Sequence, residues 1–281
     1  MPTALILSSF VASSRVGGSM QSLALAEFRF EPILVPTVLY GRHPGWGAPG
    51  GGPVSTETFE SLLDGVEANG ALEQVDLVIT GYFTSAAQVR AAARAVDAVR
   101  AAPRAADARK PLVIVDPTMG DAGKGLYVQP EVPPALTAEL IRRADYVAPN
   151  AWELERLTGV PARSPASAVD SARLLGRPTL VSSVERGQEI GVVYADRNEA
   201  WFAAHAKAGD APRGTGDLLT ALFAAALCEG QPVSYALARA VGGVAETVAS
   251  AAMWKTPELP VVAMGPKIKA ASPSVRIERL G

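Results

Sequence analysis

The chain alternates short apolar runs with longer stretches of helical period, and this alternation limits the folds that it can adopt. Turn residues bound the apolar runs, and the first four read as buried strands: TALILSS at 3–9, PILVP at 32–36, DLVITG at 76–81 and PLVIVDP at 111–117. Helical patterns separate them at 17–28, 55–70 and 84–102. Strand and helix in alternation indicate βαβ units and a parallel sheet. We therefore expect a three-layer α/β fold, with a mostly parallel central sheet and helices on both faces, and a single domain over 1–281.

The second half of the chain continues the series and then changes its period. DYVAP at 145–149 and PTLVSS at 178–183 predict two more strands, with helices over 151–157 and 164–175. GVVYAD and AWFAAHA flank the turn DRNE and predict an antiparallel hairpin at the edge of the sheet. Alanine-rich helices follow over 215–229 and 234–252. Two segments rich in glycine or proline, 41–53 and 119–134, are predicted to be irregular loops, the first of them mobile.

Composition excludes several classes of partner and site. The 281 residues include 48% hydrophobic and 19% charged residues, with a formal charge of -2. A slightly acidic protein attracts neither nucleic acid nor a membrane surface, and no apolar run approaches the roughly 20 residues that span a bilayer. Cys228 is the one cysteine, so no intramolecular disulfide is possible. The N-terminal apolar run is too short for a signal peptide, and we expect a cytoplasmic protein.

Three glycine-containing segments are candidates for a nucleotide-binding site, and one of them is favoured. GWGAPG at 45–50 matches G-x-G-x-x-G in letters, but it neither follows a strand nor opens a helix, and AGKGL lacks the rest of a P-loop. RGTGDLL at 213–219 is different, because Gly214 and Gly216 precede an apolar helix whose free N–H groups would face an anion. The alternative is that Thr215 or Asp217 simply caps this helix, for about 1 kcal/mol. The two glycines favour the anion site.

Acidic and amide side chains follow two predicted strands. Asp116 ends one strand, Asp121 lies in the loop behind it, and Asn150 and Glu153 open the helix after another. Each has an ordinary explanation, a turn for Asp-Pro and a capping box for Asn150 with Glu153. Because the carboxyl ends of parallel strands share one edge, these groups are expected beside the anion site at 214–217. Hard oxygen ligands beside phosphates are what Mg²⁺ bound to a nucleotide requires.

These motifs, in this order, resemble the ribokinase-like superfamily and, within its vitamin-kinase branch, the pyridoxal kinases. The resemblance covers nearly the whole chain and rests on LSSFVASSRVGG, PTVLYGRHPGW, ITGYFTSAAQ, VDPTMGDAGKGLYV, APNAWELERLTG and GTGDLLTALFAAAL. The tail ELPVVAMGPKI at 258–268 is similar to the final strand of the family. GTGD with APNxxE is specific for the superfamily, and GY with DPxMGD narrows it to the vitamin kinases. Hydroxymethylpyrimidine kinases often have cysteine where this chain has Asp217.

The resemblance implies a ribokinase-like fold and the transfer of phosphate from ATP to a vitamin B6 vitamer. Asp217 would accept the proton of the acceptor hydroxyl, and the N–H groups of Gly214, Thr215, Gly216 and Asp217 would stabilise the transferred phosphoryl group. The remaining ATP-binding positions would be Asp116, Asp121, Lys124, Tyr127, Asn150, Glu153, Ser182, Ser183 and Arg213. Mg²⁺ would be held by Asp116, Asn150 and Glu153, and a monovalent cation such as K⁺ belongs to the same expectation.

The substrate side implied by the resemblance consists of Ser9, Thr37, His43 and Tyr82, with Tyr82 near the pyridine ring. The resemblance also implies a homodimer. This side departs from the family pattern at Gly41, Arg42, Pro44 and Trp46, and also at Arg15. Three hypotheses therefore remain open: a pyridoxal kinase, a kinase for another hydroxymethyl heterocycle or a nucleoside, and a binding protein without catalysis.

Overall fold

One large sheet forms the centre of the molecule in the computed structural model, which describes residues 1–106, 108–207, 209, 211–270 and 274–280. The strands are β1 Thr3–Val11, β2 Glu31–Tyr40, β3 Gly51–Pro53, β4 Val75–Thr80, β5 Leu112–Val115, β6 Gly120–Asp121, β7 Gly125–Leu126, β8 Tyr146–Val147, β9 Thr179–Arg186, β10 Glu189–Ala195, β11 Ala200–Ala206 and β12 Arg276–Leu280. The α-helices are α1 Gly17–Glu27, α2 Thr56–Ala68, α3 Ala86–Ala101, α4 Val132–Ala135, α5 Ala151–Thr158, α6 Pro165–Leu174, α7 Thr215–Cys228, α8 Val233–Trp254 and α9 Val261–Met264.

The sheet has a parallel centre and antiparallel borders. Strands β2, β1, β4, β5, β8 and β9 lie side by side in this order and are parallel. β3 pairs antiparallel with β2 at one border, and β10, β11 and β12 continue from β9 at the other. The short apolar runs form the parallel strands because such strands are buried on both faces. The expected three-layer α/β architecture is confirmed.

Helices cover both faces of this sheet. The register pairs Leu5 with Val78 and Ile6 with Ile79, so each pair faces one side. Ile6 and Ile79 join the core under α1, α7 and α8, whereas Leu5 and Val78 join the core under α2 and α3. A third cluster lies between β9, β10 and the helices α5 and α6. Along the described ranges, no helix combines the length and the apolar character needed to cross a bilayer.

The C-terminal strand is not where the sequence resemblance predicts it. Within 258–268 the chain forms helix α9 and a 3₁₀ helix over Gly265–Lys269, so the prediction of a strand there is wrong. Pro260 and Pro266 lack the N–H that a strand ladder needs, and Pro260 is the N-cap of α9. The last strand is instead β12, RIERL, which pairs antiparallel with β11.

The two predicted loops contain regular structure. A 3₁₀ helix covers Pro44–Trp46, and Gly51–Pro53 forms β3 against the end of β2, so the prediction of an irregular 41–53 is wrong. Gly50 and Gly51 have φ of 66° and 77°, which lets this short segment turn back onto its neighbour. The segment 119–134 contains the β6–β7 hairpin and the start of α4. Both segments lie at the carboxyl edge of the parallel strands, where ligands bind in open α/β sheets.

Candidate active site

Helix α7 begins with an anion-binding geometry. Its N-cap is Gly214, in the left-handed conformation with φ of 92°. A Cβ at this position would lie 2.3 Å from the carbonyl oxygen of Arg15, so only glycine fits without moving the chain. Thr215 and Asp217 lie inside the first turn, and the N-cap Gly214 offers no side chain to bind the N–H groups of that turn. The N–H groups of Gly214, Thr215 and Gly216 are therefore left for an anion, with the helix dipole behind them, whereas the N–H of Asp217 faces its own carboxylate.

Asp217 is half-buried in this first turn. Burial raises the pKa of its carboxyl to about 6, while the N–H groups of Gly17 and of Asp217 itself act in the opposite direction. Gly17 opens α1, so the starts of α1 and α7 meet at this carboxylate. A carboxylate with a pKa nearer to neutral is better suited to accept a proton in catalysis than an ordinary surface aspartate.

Asp116 lies beside Asp217, directly after β5. Its side chain is 7% exposed, and it accepts hydrogen bonds from the hydroxyls of Thr118 at 2.8 Å and Thr220 at 3.1 Å. Burial and the charge of Asp217 raise the pKa of Asp116 to about 7, against the effect of the two hydroxyls. Thr220 follows Asp217 by one turn of α7, so this helix holds both carboxylates from one side.

Glu153 and Asn150 form the third part of the acidic cluster. The Asn150 side chain accepts from the Glu153 N–H at 2.9 Å, and the Glu153 carboxylate accepts from the Asn150 N–H at 2.8 Å, so the predicted capping box is confirmed. The other oxygen of Glu153 accepts from the N–H groups of Met119 at 2.9 Å and Gly120 at 3.3 Å. Burial and then Asp116 raise the pKa of Glu153 to about 8, although these N–H groups lower it.

Three acids with raised pKa values form a site that favours a cation. The charge of Asp217 raises the pKa of Asp116, and the charge of Asp116 raises the pKa of Glu153. In the part of the chain that the structure describes, no three His, Cys, Asp or Glu side chains converge closely enough to hold a metal ion by themselves. The oxygen donors fit Mg²⁺ only if water or phosphate completes its six ligands.

Tyr127 closes this cluster from the hairpin side. Its backbone N–H donates to the Met119 carbonyl at 3.0 Å, and burial raises the pKa of its phenol, followed by the charges of Glu153, Asp116, Asp217 and Asp121. The ring stacks on Tyr82 with centroids 6.4 Å apart and planes 29° apart. At the hairpin turn, Lys124 pairs with Asp121 at 2.9 Å on the surface.

The predicted substrate residues lie around the same edge. Ser9 is 9% exposed, and its hydroxyl occupies the space that a Cβ on Gly17 would need. Thr37 is fully buried and donates to the Tyr82 carbonyl at 2.6 Å, so its hydroxyl holds the backbone of Tyr82. Burial, with a smaller contribution from Tyr40, raises the pKa of Tyr82. The hydrogen bond from Thr37 attaches the backbone of Tyr82 to β2.

His43 links the substrate loop to α7. Its Nδ1 accepts the Gly45 N–H at 2.9 Å, and burial, Arg213 and Lys124 lower the pKa of its imidazole, in that order. A Cβ on Gly45 would lie 2.5 Å from the guanidinium of Arg213, which therefore packs against this loop. His43, which the resemblance assigns to the substrate, and Arg213, which it assigns to ATP, thus lie beside the same loop. Within the same loop, Arg42 donates from Nε to the Ala48 carbonyl at 2.8 Å.

Ser182 and Ser183 lie midway along β9, which extends beyond the carboxyl end of its neighbour β8, so that they lie near Asn150. Ser182 forms a parallel bridge with Asn150, and its N–H donates to the Pro149 carbonyl at 3.0 Å. Ser183 has φ of 61°, which is unusual for a residue with a side chain and recurs at functional sites.

Sequence reasoning missed the residues that hold the acids. Thr118 and Thr220 bind Asp116, and the N–H of Gly17 faces Asp217. For Thr220 the spacing of three residues after Asp217 was an available signal, since such residues share one face of a helix. For Gly17 no local pattern points to α7, because the contact joins distant parts of the chain.

Comparison with known proteins shows the family of this chain. The model of the phosphomethylpyrimidine kinase family matches residues 62–261. Pyridoxal kinase PdxY of Deinococcus radiodurans is 36% identical over 234 residues, which cover 78% of this chain and 76% of that protein. The pyridoxine/pyridoxal/pyridoxamine kinase of Bordetella bronchiseptica is 33% identical over 250 residues, 86% of this chain and 87% of the relative.

Solved structures share the whole fold. Pyridoxal kinase of Entamoeba histolytica superposes with a TM-score of 0.89 at 28% identity, over 100% of both chains. That of Leishmania donovani, in complex with ADP and pyridoxamine, superposes with a TM-score of 0.92 at 24% identity over 100% of both chains, which shows the fold. The chain therefore belongs to the phosphomethylpyrimidine kinase family, and the relatives that it matches over most of its length are pyridoxal kinases.

Proposed function

We propose that this protein is an ATP-dependent pyridoxal kinase, which transfers the γ-phosphoryl group of ATP to the 5′-hydroxymethyl group of pyridoxal. The observation that carries the proposal is the start of α7, where uncapped N–H groups adjoin Asp217, a carboxylate with a raised pKa. The names of the curated relatives support pyridoxal as the acceptor. Structures of the Leishmania donovani enzyme with ADP and either pyridoxamine or pyridoxine support the pairing of nucleotide and vitamer.

Asp217 is the proposed general base. It accepts the proton of the 5′-hydroxyl while that oxygen forms its bond to the γ-phosphorus, and the bond from this phosphorus to the bridging oxygen of ADP breaks. The N–H groups of Gly214, Thr215 and Gly216 stabilise the negative charge on the transferred group. The uncapped helix start supports this role because it needs no rearrangement to receive an anion.

Asp116, Asn150 and Glu153 are the proposed holders of Mg²⁺, acting through water or together with the phosphates. When bound, the ion neutralises phosphate charge. The three raised acid pKa values support this assignment, because a cation would offset the repulsion between the carboxylates. Thr118 and Thr220 orient Asp116 for this purpose.

We assign the remaining contacts with the nucleotide to side chains in the loops near the start of α7 and at β9. Arg213 and Lys124 supply positive charge near the phosphates, with Tyr127 and Asp121 on the hairpin that covers them. Ser182 and Ser183 face the phosphates or the ribose. The electrostatic effect of both Arg213 and Lys124 on His43 supports a common location for the two cations.

On the vitamer side, Tyr82 is proposed to lie against the pyridine ring, with Ser9 and His43 as polar contacts. The lowered pKa of His43 keeps its imidazole neutral near pH 7, so its second nitrogen acts as a neutral hydrogen-bonding group toward a phenolic or ring substituent. Thr37 acts through Tyr82, whose carbonyl it binds.

The test is turnover on a panel of acceptors with Mg-ATP, and the same assay on Asp217→Asn. Pyridoxal is expected among the best acceptors, and kcat of the variant is expected to fall roughly 10²- to 10⁴-fold, with ATP binding nearly unchanged. Asp170→Asn, an exposed carboxylate on α6, is the matched control and should retain activity. Full activity of Asp217→Asn would refute the assignment of the base.

A second candidate is a kinase for another hydroxymethyl heterocycle, favoured by the description of the family model and by Arg42, Pro44 and Trp46 in the substrate loop. Hydroxymethylpyrimidine and nucleosides on the same panel separate the two. If hydroxymethylpyrimidine exceeds pyridoxal in kcat/KM, the second candidate replaces the first. ATP and pyridoxal binding without product would indicate a binding protein.

We further propose a homodimeric, cytoplasmic protein with one domain over 1–281 and a requirement for a monovalent cation such as K⁺. Family resemblance supports the dimer and the cation, the continuous alternation of strands and helices supports one domain, and the single cysteine supports a reducing, cytoplasmic setting. Light scattering after size exclusion measures the dimer, and replacing K⁺ by Na⁺ at constant ionic strength tests the cation. Limited proteolysis tests the single domain, since one cooperative unit releases no stable fragment.

A further inference from the structure

A cavity lined by arginines lies at the amino ends of the parallel strands, whereas the carboxylate cluster lies at their carboxyl ends. It is an open cavity of about 190 Å³ between the end of α6, the start of β9 and the turn that joins β10 to β11. Its lining residues include three arginines, Arg173, Arg177 and Arg197, together with Asn198. The site function proposed above does not involve any of these residues.

Backbone carbonyls hold two of the guanidinium groups in place. Arg173 donates from Nε to the Asp196 carbonyl at 3.0 Å, and Arg177 donates from one terminal nitrogen to the Arg142 carbonyl. Each hydrogen bond uses one of five donors, so most of each fork remains for another partner. Arg197 and Asn198 lie on the exposed turn across the cavity.

The one carboxylate lining the cavity is already engaged by its own turn. Asp196 accepts the N–H groups of Asn198 at 2.7 Å and Glu199 at 2.8 Å, and the hydroxyl of Tyr194 at 2.8 Å. Although burial acts to raise it, these N–H groups, the hydroxyl and Arg173 together lower the pKa of Asp196. Over the described ranges, no carboxylate oxygen comes within ion-pair distance of Arg173, Arg177 or Arg197, so the cavity carries an excess of positive charge.

From this arrangement we propose that the cavity binds a phosphate dianion, either free or as a phosphate monoester. Guanidinium forks match the geometry of phosphate oxygens and bind them with paired hydrogen bonds. Three arginines line one cavity from two separate segments, and backbone carbonyls hold the guanidinium groups of two of them. The overall formal charge of -2 makes a long polyanion such as nucleic acid a poor occupant.

The proposed anion site is separate from the nucleotide site. It adjoins Pro178 at the start of β9, whereas Ser182 and Ser183 lie farther along the same strand near Asn150. At about 3.3 Å per residue, the two positions are roughly 15 Å apart along β9. An anion in the cavity therefore cannot also contact the start of α7.

Phosphate binding to the full chain tests this site without measuring kinase activity. Equilibrium dialysis with inorganic phosphate is expected to give one more bound ion per chain for the wild type than for the double variant Arg173→Gln with Arg197→Gln. Each lost arginine is expected to weaken binding at this site about tenfold, as for a charged hydrogen bond. Any phosphate at the start of α7 is present in both proteins and cancels in the comparison.

Two further variants keep the result interpretable. Arg197→Gln alone removes a side chain with no hydrogen bond among the described residues, so it should preserve the fold and still lower the affinity about tenfold. Arg90→Gln, on the exposed side of α3, is the matched control and should bind phosphate like the wild type.

A second experiment with phenyl phosphate distinguishes free phosphate from a phosphate monoester. If the wild type binds inorganic phosphate and the double variant does not, the site takes the free ion. If the wild type binds only phenyl phosphate, and the double variant does not bind it, the site takes monoesters. Equal binding of both probes by wild type and double variant overturns the proposal, as does the absence of a second bound anion in the wild type. A failure of the proposed kinase activity would change none of these measurements.

Discussion

Replacing the carboxyl of Asp116 by an amide should make the metal-free protein more stable at alkaline pH. Asp116 is 7% exposed, and burial together with Asp217 raises the pKa of its carboxyl from 3.8 to about 7. The folded protein therefore keeps this proton up to neutral pH, whereas the unfolded chain releases it near its ordinary value. Stability contributed by the neutral form is complete at acidic pH and is lost as the pH rises through the folded-state pKa.

The magnitude follows from the size of the shift. Each pKa unit corresponds to about 1.4 kcal/mol, so the raised pKa of Asp116 lowers the free energy of unfolding, relative to an unshifted carboxyl, by roughly 4 kcal/mol above neutral pH and by about 2 kcal/mol at about pH 5.5. The amide of the Asp116→Asn variant cannot ionise and avoids both penalties. One of the two hydroxyls, that of Thr118 or that of Thr220, must then turn to accept from the new amide NH₂, which adds a pH-independent offset of about 1 kcal/mol. The pH-dependent part, about 2 kcal/mol between about pH 5.5 and about pH 8.5, is independent of that offset.

Urea unfolding of wild type and Asp116→Asn at these two pH values, in the presence of EDTA, measures the effect. The stability of the variant relative to the wild type should increase with pH, while its turnover with Mg-ATP should collapse, as expected where function strains the fold. Asp170→Asn, an exposed carboxylate on α6, should change stability little at either pH. A stability difference that is the same at both pH values would refute the electrostatic account of this cluster.

Three other substitutions test individual contacts. Gly214→Ala places a Cβ 2.3 Å from the Arg15 carbonyl at a residue with φ of 92°, so the start of α7 should shift and kcat should fall roughly 10²-fold in a steady-state assay, unlike Gly65→Ala in the open middle of α2. Asn150→Ala removes the cap of α5 and should lower the free energy of urea unfolding by about 1 kcal/mol; an unchanged midpoint would contradict the capping role. Phe223→Ala deletes a fully buried ring and should cost about 3 to 5 kcal/mol in the same measurement, and a loss below about 1 kcal/mol would show that the site collapses around the missing ring.

Much of the architecture follows from local sequence. Apolar runs bounded by turn residues predict β1, β4 and β5, because a strand covered on both faces must be apolar throughout. The capping box at Asn150 is likewise local, since its two hydrogen bonds join residues three apart. Family resemblance predicts a strand at 258–268, but the prolines there favour the end of a strand or the start of a helix, and the chain forms α9.

The sequence by itself determined which chemical groups the carboxyl edge would contain: Asp116, Asn150, Glu153 and the start of α7. Only the tertiary structure decided how these groups act on one another. The pKa of Asp217 depends on burial and on the N–H of Gly17, some 200 residues away in the chain. Thr220 donates a hydrogen bond to Asp116, which lies 104 residues earlier in the chain. No local sequence pattern indicates this contact. Desolvation and charge coupling depend on distance in space, which strand pairing and helix packing fix and local residue patterns do not.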